Sequence, residues 1–217
     1  MSTKINLKEL ERKAWRSVFQ DGLWDIYLGF LLLAMAIGDL LSDIGVPKVW
    51  HYAIYITLLL LSWLVLWVGK KTITVPRMGH VKFGPKGKTR KKKAVLVGAI
   101  SVLVLAVLFV VVLAMRSDPV EGLPIGLIVS VVYAVYMLVV FSLGAYFLEF
   151  SRLYLIGVLY AIPVPVDVMF NEFAGIDLGF IAFAVPAAII LLVGTVLLIR
   201  FLHDYPVPAE VVSDGNR

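Results

Sequence analysis

The chain has 217 residues, of which 61% are hydrophobic and only 16% are charged, with a formal net charge of +5 and no cysteine. Soluble domains are about 45–50% apolar and about 25% charged, so this composition excludes a soluble globular protein and, equally, a disordered one. The lack of cysteine excludes a disulfide scaffold, thiolate metal sites and thiol nucleophiles. The sequence therefore predicts an integral membrane protein.

Residues 1–22 are predicted to form a cytoplasmic interfacial helix. Between residues 6 and 20, apolar side chains recur at helical spacing, and the basic side chains occupy the opposite face. A helix of this kind typically lies among anionic headgroups beside a membrane span.

The rest of the chain predicts an all-α bundle of six transmembrane helices over residues 23–202, followed by a tail over residues 203–217. A membrane helix needs roughly 20 mainly apolar residues. Six segments meet this requirement: 23–41, 49–68, 94–115, 123–147, 153–170 and 178–199.

The fourth and fifth spans come from one apolar stretch, residues 123–166, whose only charges are Glu149 and Arg152. A single helix of that length would be about twice as long as a bilayer core is thick, so the chain must fold back. We expect the turn near Glu149, which puts both charges at the membrane surface. A turn at residues 142–144 is the alternative, and it would make Glu149 and Arg152 an intramembrane ion pair that suggests a pathway.

The orientation follows from the basic residues. With six spans, every Lys and Arg except Lys48 and Arg116 falls on one side, which also carries both termini. The positive-inside rule assigns that side to the cytoplasm. We therefore expect a multi-pass protein of the cell membrane with both termini cytoplasmic.

The loop over residues 69–93 is the most basic part of this cytoplasmic face. Within it, residues 72–83 alternate apolar and polar around a Pro-Arg-Met-Gly turn, which predicts a small β-hairpin-like structure. A cationic run follows, and juxtamembrane runs of this kind usually contact anionic lipid headgroups rather than nucleic acid. The run, hereafter the basic run, comprises Lys86, Lys88, Arg90, Lys91, Lys92 and Lys93.

Two carboxylates open the first span. Asp21 and Asp25 are four residues apart and therefore share a helical face. Asp25 lies just inside the apolar segment, where an unpaired carboxylate is costly. Arg77 lies on the same side of the membrane, and its planar fork can bind a carboxylate through two hydrogen bonds. We expect Arg77 to pair with Asp21 or Asp25 and the three to form a polar cluster.

The motif Asp-Gly-Leu-x-Asp-Ile-x-x-Gly at residues 21–29, with Pro-Arg-Met-Gly-His-Val at residues 76–81, resembles a family of uncharacterised prokaryotic multi-pass membrane proteins. Members of that family tend to show Pro-Arg-x-Gly-Tyr/His-Val at this place. The resemblance implies no substrate or reaction, and it points to Asp21, Asp25 and Arg77.

The sequence does not predict an enzyme. No catalytic or metal-binding motif occurs, and the three histidines fall on different sides of the membrane. We expect no cofactor and no metal. The favoured interpretation is a polytopic scaffold or regulator that contacts anionic lipid, a membrane partner or a second copy. The alternative is a small transporter or channel that uses Asp25 and the Glu149/Arg152 pair.

Overall fold

The computed structural model describes residues 19–78, 92, 95–96, 98–107, 110 and 125–206. Helices dominate this part of the chain, and no strand occurs in it. Five helical segments are long and apolar enough to cross a membrane, which confirms an all-α, multi-pass architecture. They are Leu23–Asp43, Lys48–Arg77, Ile125–Leu148, Arg152–Ala174 and Gly179–Asp204.

The first helix, α1 (Leu23–Asp43), packs most extensively against the last, α8 (Gly179–Asp204). Glycines permit this close approach. A Cβ on Gly29 would lie 2.7 Å from the Leu191 side chain, and a Cβ on Gly22 would overlap the Gly194 carbonyl oxygen. Small residues recurring along the first span predict this kind of close helix packing, and the structure confirms it for Gly22 and Gly29.

The second helix, α2 (Lys48–Gly69), does not end at the membrane surface. It continues through a π-helical segment, Lys70–Thr74, into the short helix α3, Val75–Met78. The predicted β-hairpin-like structure is therefore wrong for residues 72–78, and its remaining residues lie outside those described. The Thr72 hydroxyl donates to the Val68 carbonyl oxygen, one turn back. The π-helical segment ends at Thr74, two residues before Pro76. Pro76 has no backbone N–H and therefore cannot donate a helical hydrogen bond.

Only part of the predicted third span, residues 94–115, is described. Its described part includes the apolar helical segment α4, Gly98–Val107. The Tyr136 hydroxyl donates to the Ser101 carbonyl oxygen at 2.6 Å, so α4 packs against the following helix, α5 (Ile125–Leu148). The predicted sixth span, residues 178–199, corresponds to α8. The interfacial helix before residue 19 and the basic run, apart from Lys92, lie outside the described residues.

The chain turns between α5 and α6 (Arg152–Ala161), in the predicted place. The alternative turn at residues 142–144 is wrong, because those residues are helical and lie inside α5. The helix α7, Pro163–Ala174, then follows α6 after a bend at Ile162. Pro163 is the first residue of α7, and a proline is tolerated there because it lacks only an N–H that has no helical partner in the first turn.

Candidate functional site: a buried charge cluster

Asp21 lies just before α1 and is completely buried. Its Oδ2 accepts hydrogen bonds from Lys70 Nζ at 2.6 Å and from the Thr74 hydroxyl at 2.5 Å. Its Oδ1 accepts a hydrogen bond from the Leu23 backbone N–H at 3.2 Å. Burying a carboxylate is unfavourable unless it is paired and hydrogen-bonded, and these contacts supply both kinds of compensation.

The local sequence explains the position of this carboxylate. Gly22 adopts a left-handed conformation, with a φ of 72°, and the chain bends there immediately before α1. Asp21 can then reach forward to the first backbone N–H of the helix, which has no intrahelical partner. The partial positive charge of the helix N-terminus stabilises a carboxylate there.

Asp25, in the first turn of α1, forms the second half of the site. Its side chain is 2% exposed, and its Oδ2 lies 3.2 Å from Arg152 Nη2, at the start of α6. The contact is an ion pair rather than a well-aligned hydrogen bond. Arg152 also donates from Nη2 to the Phe19 carbonyl oxygen, and its guanidinium lies 5.0 Å from the centre of the Phe150 ring.

We refer to Asp21, Asp25, Lys70, Thr74 and Arg152 together as the charge cluster. Its two carboxylates and two cations balance, so the group is formally neutral. It joins the start of α1, the π-helical extension of α2 and the start of α6 at one end of the bundle. Removing one member would leave a buried charge without its partner, which is strongly destabilising. The arrangement can therefore hold three helices in register.

The predicted partner, Arg77, occupies a different position. Its Nη1 donates to the Ile73 carbonyl oxygen at 3.1 Å, one turn back in its own helix. The described cations that contact Asp21 and Asp25 are instead Lys70 and Arg152. The prediction assumed that a turn would present Arg77 to the first span. Because the helix continues instead of turning, Lys70 is the residue that pairs with Asp21, and Arg77 lies two turns further along.

The sequence analysis missed Lys70 and Thr74. A signal was present: Lys70 is the first charged residue after the second apolar segment, and Thr74 follows it by four residues, the same spacing that separates Asp21 from Asp25. Arg152 was considered only in relation to Glu149. The structure puts Glu149 in the turn and gives Arg152 the long-range partner Asp25.

The other end of the bundle carries an acidic group. Carboxylate oxygens of Asp39, Asp43 and Asp177 lie within 4.8 Å of one another, and Asp39 Oδ2 is buried without a hydrogen-bond partner among the described residues. Three such oxygens are ligands that a hard divalent cation could use. The Asp39 carboxylate also abuts Gly179, where a Cβ would overlap it. The sequence analysis predicted no metal site.

Comparisons with protein-family models, curated proteins and solved structures found no match to this chain. The resemblance carried by residues 21–29 and 76–81 thus stays a prediction, and the functional argument depends on the geometry alone.

Proposed function

We propose that the protein is a non-catalytic polytopic scaffold of the cell membrane that contacts anionic lipid through a basic cytoplasmic face. The observation that carries this proposal is the charge cluster. Its charges neutralise one another at the helix ends, where they join helices, instead of lining a route across the bilayer. A scaffold needs such rigid helix contacts, whereas transport needs polar groups near the midplane.

The middle of the described bundle supports the same interpretation. A cavity of about 100 Å³ between α1 and α2 is lined by apolar side chains and by Ser62, whose hydroxyl donates to the Leu59 carbonyl oxygen. Deeper in the bundle, the Tyr160 hydroxyl donates to the Leu28 carbonyl oxygen at 2.5 Å. The Ser62 hydroxyl is satisfied within α2, and the Tyr160 hydroxyl joins α6 to α1, so neither forms part of a polar path.

The end of α2 has the features of a helix that meets lipid headgroups. Trp63 and Trp67 stack with their ring centroids 6.4 Å apart, and both are at least half exposed. Lys71 Nζ lies 5.2 Å from the centre of the Trp67 ring. Interfacial tryptophans and lysines that reach toward headgroups are typical of a membrane boundary. The basic run follows this boundary in the sequence.

The experiment is lipid retention. The protein is reconstituted in nanodiscs with equal amounts of phosphatidylglycerol and phosphatidylcholine, and the lipids that remain bound are identified by native mass spectrometry. Each juxtamembrane Lys or Arg contributes about 1 kcal/mol to attraction toward an anionic surface. Replacing the six residues of the basic run with Gln should therefore abolish the preference for phosphatidylglycerol. The control replaces Lys48 and Arg116, assigned to the opposite side. An unchanged preference in the basic-run variant would refute the proposal.

A transporter or channel is the second candidate. The observation that favours it is that Arg152 is 29% exposed although its partner Asp25 is buried, so the pair can be reached from one side of the membrane. Proteoliposomes distinguish the two candidates. Proton or cation flux that Asp25→Asn abolishes would favour transport, and flux equal to that of empty liposomes would favour the scaffold.

A further inference from the structure

An open cleft of about 310 Å³ borders the turn between α5 and α6. It combines one carboxylate, one guanidinium, a hydroxyl and an amide with apolar walls. Its lining residues are Phe19, Gln20, Glu149, Phe150, Ser151, Arg152 and Leu197. We propose that this cleft binds the phosphoethanolamine headgroup of a membrane lipid, with the phosphate on Arg152 and the ammonium on Glu149.

The position of the cleft suits a headgroup. The turn connects two apolar helices, so it lies where the chain leaves the bilayer and returns. Tyr146 and Tyr154 flank the turn and are 70% and 47% exposed. Exposed tyrosines concentrate at the interface between membrane and water. A lipid whose chains stay in the bilayer could therefore place its headgroup in the cleft without leaving the membrane.

Arg152 is oriented in advance for a phosphate. Its contacts with Asp25 and with the Phe19 carbonyl oxygen both use Nη2, and a guanidinium has five N–H donors in a fixed plane. The Phe150 ring lies against the guanidinium and helps to hold that plane. The side chain is still 29% exposed. A phosphate oxygen can thus approach a guanidinium that is already fixed in place.

Glu149 provides the selectivity. It has a φ of 53°, a left-handed conformation that is uncommon for residues other than glycine. This conformation ends α5, where the Phe150 N–H donates to the Ala145 carbonyl oxygen at 3.1 Å, and it places the Glu149 side chain beside the cleft. Glu149 and Arg152 together offer one negative and one positive group in one cleft. A zwitterionic headgroup satisfies both, whereas an anionic headgroup without an ammonium is repelled by Glu149.

The test uses the full chain in nanodiscs containing equal amounts of phosphatidylethanolamine and phosphatidylglycerol, with bound lipid identified by native mass spectrometry. Because the basic run attracts phosphatidylglycerol, the full chain tested here carries the six Gln replacements described above, and it should retain one phosphatidylethanolamine in preference to phosphatidylglycerol. Glu149→Gln should lower that preference roughly tenfold, the effect of losing one charge-assisted contact. The matched control is Glu172→Gln, which removes an exposed carboxylate on α7, outside the cleft, and should change nothing.

A second variant, Glu149→Asn, keeps the outcome interpretable if Glu149→Gln folds poorly, because Asn tolerates the left-handed conformation and carries no charge. It should show the same loss.

Calorimetry with soluble phosphoethanolamine in detergent identifies the source of the headgroup. No binding heat is expected if the lipid is the ligand, and heat that Glu149→Gln abolishes would assign the same chemistry to a free zwitterion. Equal retention of both lipids by the protein with Glu149 intact and the basic run replaced, or an unchanged preference in both Glu149 variants made in that protein, would overturn the proposal.

Discussion

The pair formed by Lys70 and Asp21 should be strongly coupled, and a double-mutant cycle can measure this coupling. Asp21 is completely buried and Lys70 is 23% exposed, with 2.6 Å between Nζ and Oδ2. Lys70→Met leaves the buried carboxylate without its cation, and breaking a buried pair from one side costs about 3–5 kcal/mol. Asp21→Asn should cost less, because an amide oxygen can still accept from the Thr74 hydroxyl.

The double variant carries neither charge, so its loss should be smaller than the sum of the two single losses by about 2 kcal/mol or more. The free energy of unfolding is measured by titration with a denaturing detergent. The matched control is Lys71→Met. Lys71 is exposed and lies over the Trp67 ring, so its loss should change stability by about 1 kcal/mol or less. Additivity within about 0.5 kcal/mol would refute the interaction between Lys70 and Asp21.

Two further variants, Gly22→Ala and Tyr160→Phe, each with a matched control, test the contacts of α1 by the same unfolding measurement. Gly22→Ala should destabilise the protein by about 3 kcal/mol or more, because it adds a left-handed strain of about 1–2 kcal/mol to an overlap with the α8 backbone. Gly45 has the same φ of 72°, but an added Cβ there would meet no atom within 4 Å, so Gly45→Ala should show the cost of backbone strain alone. Equal losses of stability in the two glycine variants would contradict the close packing at Gly22. Tyr160→Phe should cost about 1 kcal/mol through the hydrogen bond to Leu28, whereas Tyr154→Phe, at an exposed position, should be silent. Equal effects of the two Tyr substitutions would count against that hydrogen bond.

The sequence predicted the described apolar helices well because their signal is local. A long uncharged segment can satisfy its backbone within a membrane only as a helix, so its length and composition are enough to identify it. The turn at Glu149 was predictable for the same reason, since its charge belongs at the membrane surface. Gly22 and Gly29 indicated that some helix must approach α1 closely, but the sequence did not predict that this helix is α8.

The charge cluster was predictable only in part. Asp21 and Asp25 stand out because they interrupt the edge of an apolar segment, but their partners come from other helices. The alternation of Ile73 and Val75 with threonine favours a strand when considered alone. In the folded protein the helix continues, because Lys70 and Thr74 bind Asp21 and extend the helix past the apolar segment. Long-range contacts thus override a local β preference.

The proposed function requires the charge cluster and the basic run to face the cytoplasm. Since the chain has no cysteine, single cysteines can be placed at Gly87, within the basic run, and at Gly175, in the loop between α7 and α8. An impermeant thiol reagent is then applied to intact cells. Gly175→Cys should be labelled in intact cells, whereas Gly87→Cys should be labelled only after the membrane is permeabilised. Labelling of Gly87→Cys in intact cells would contradict this orientation.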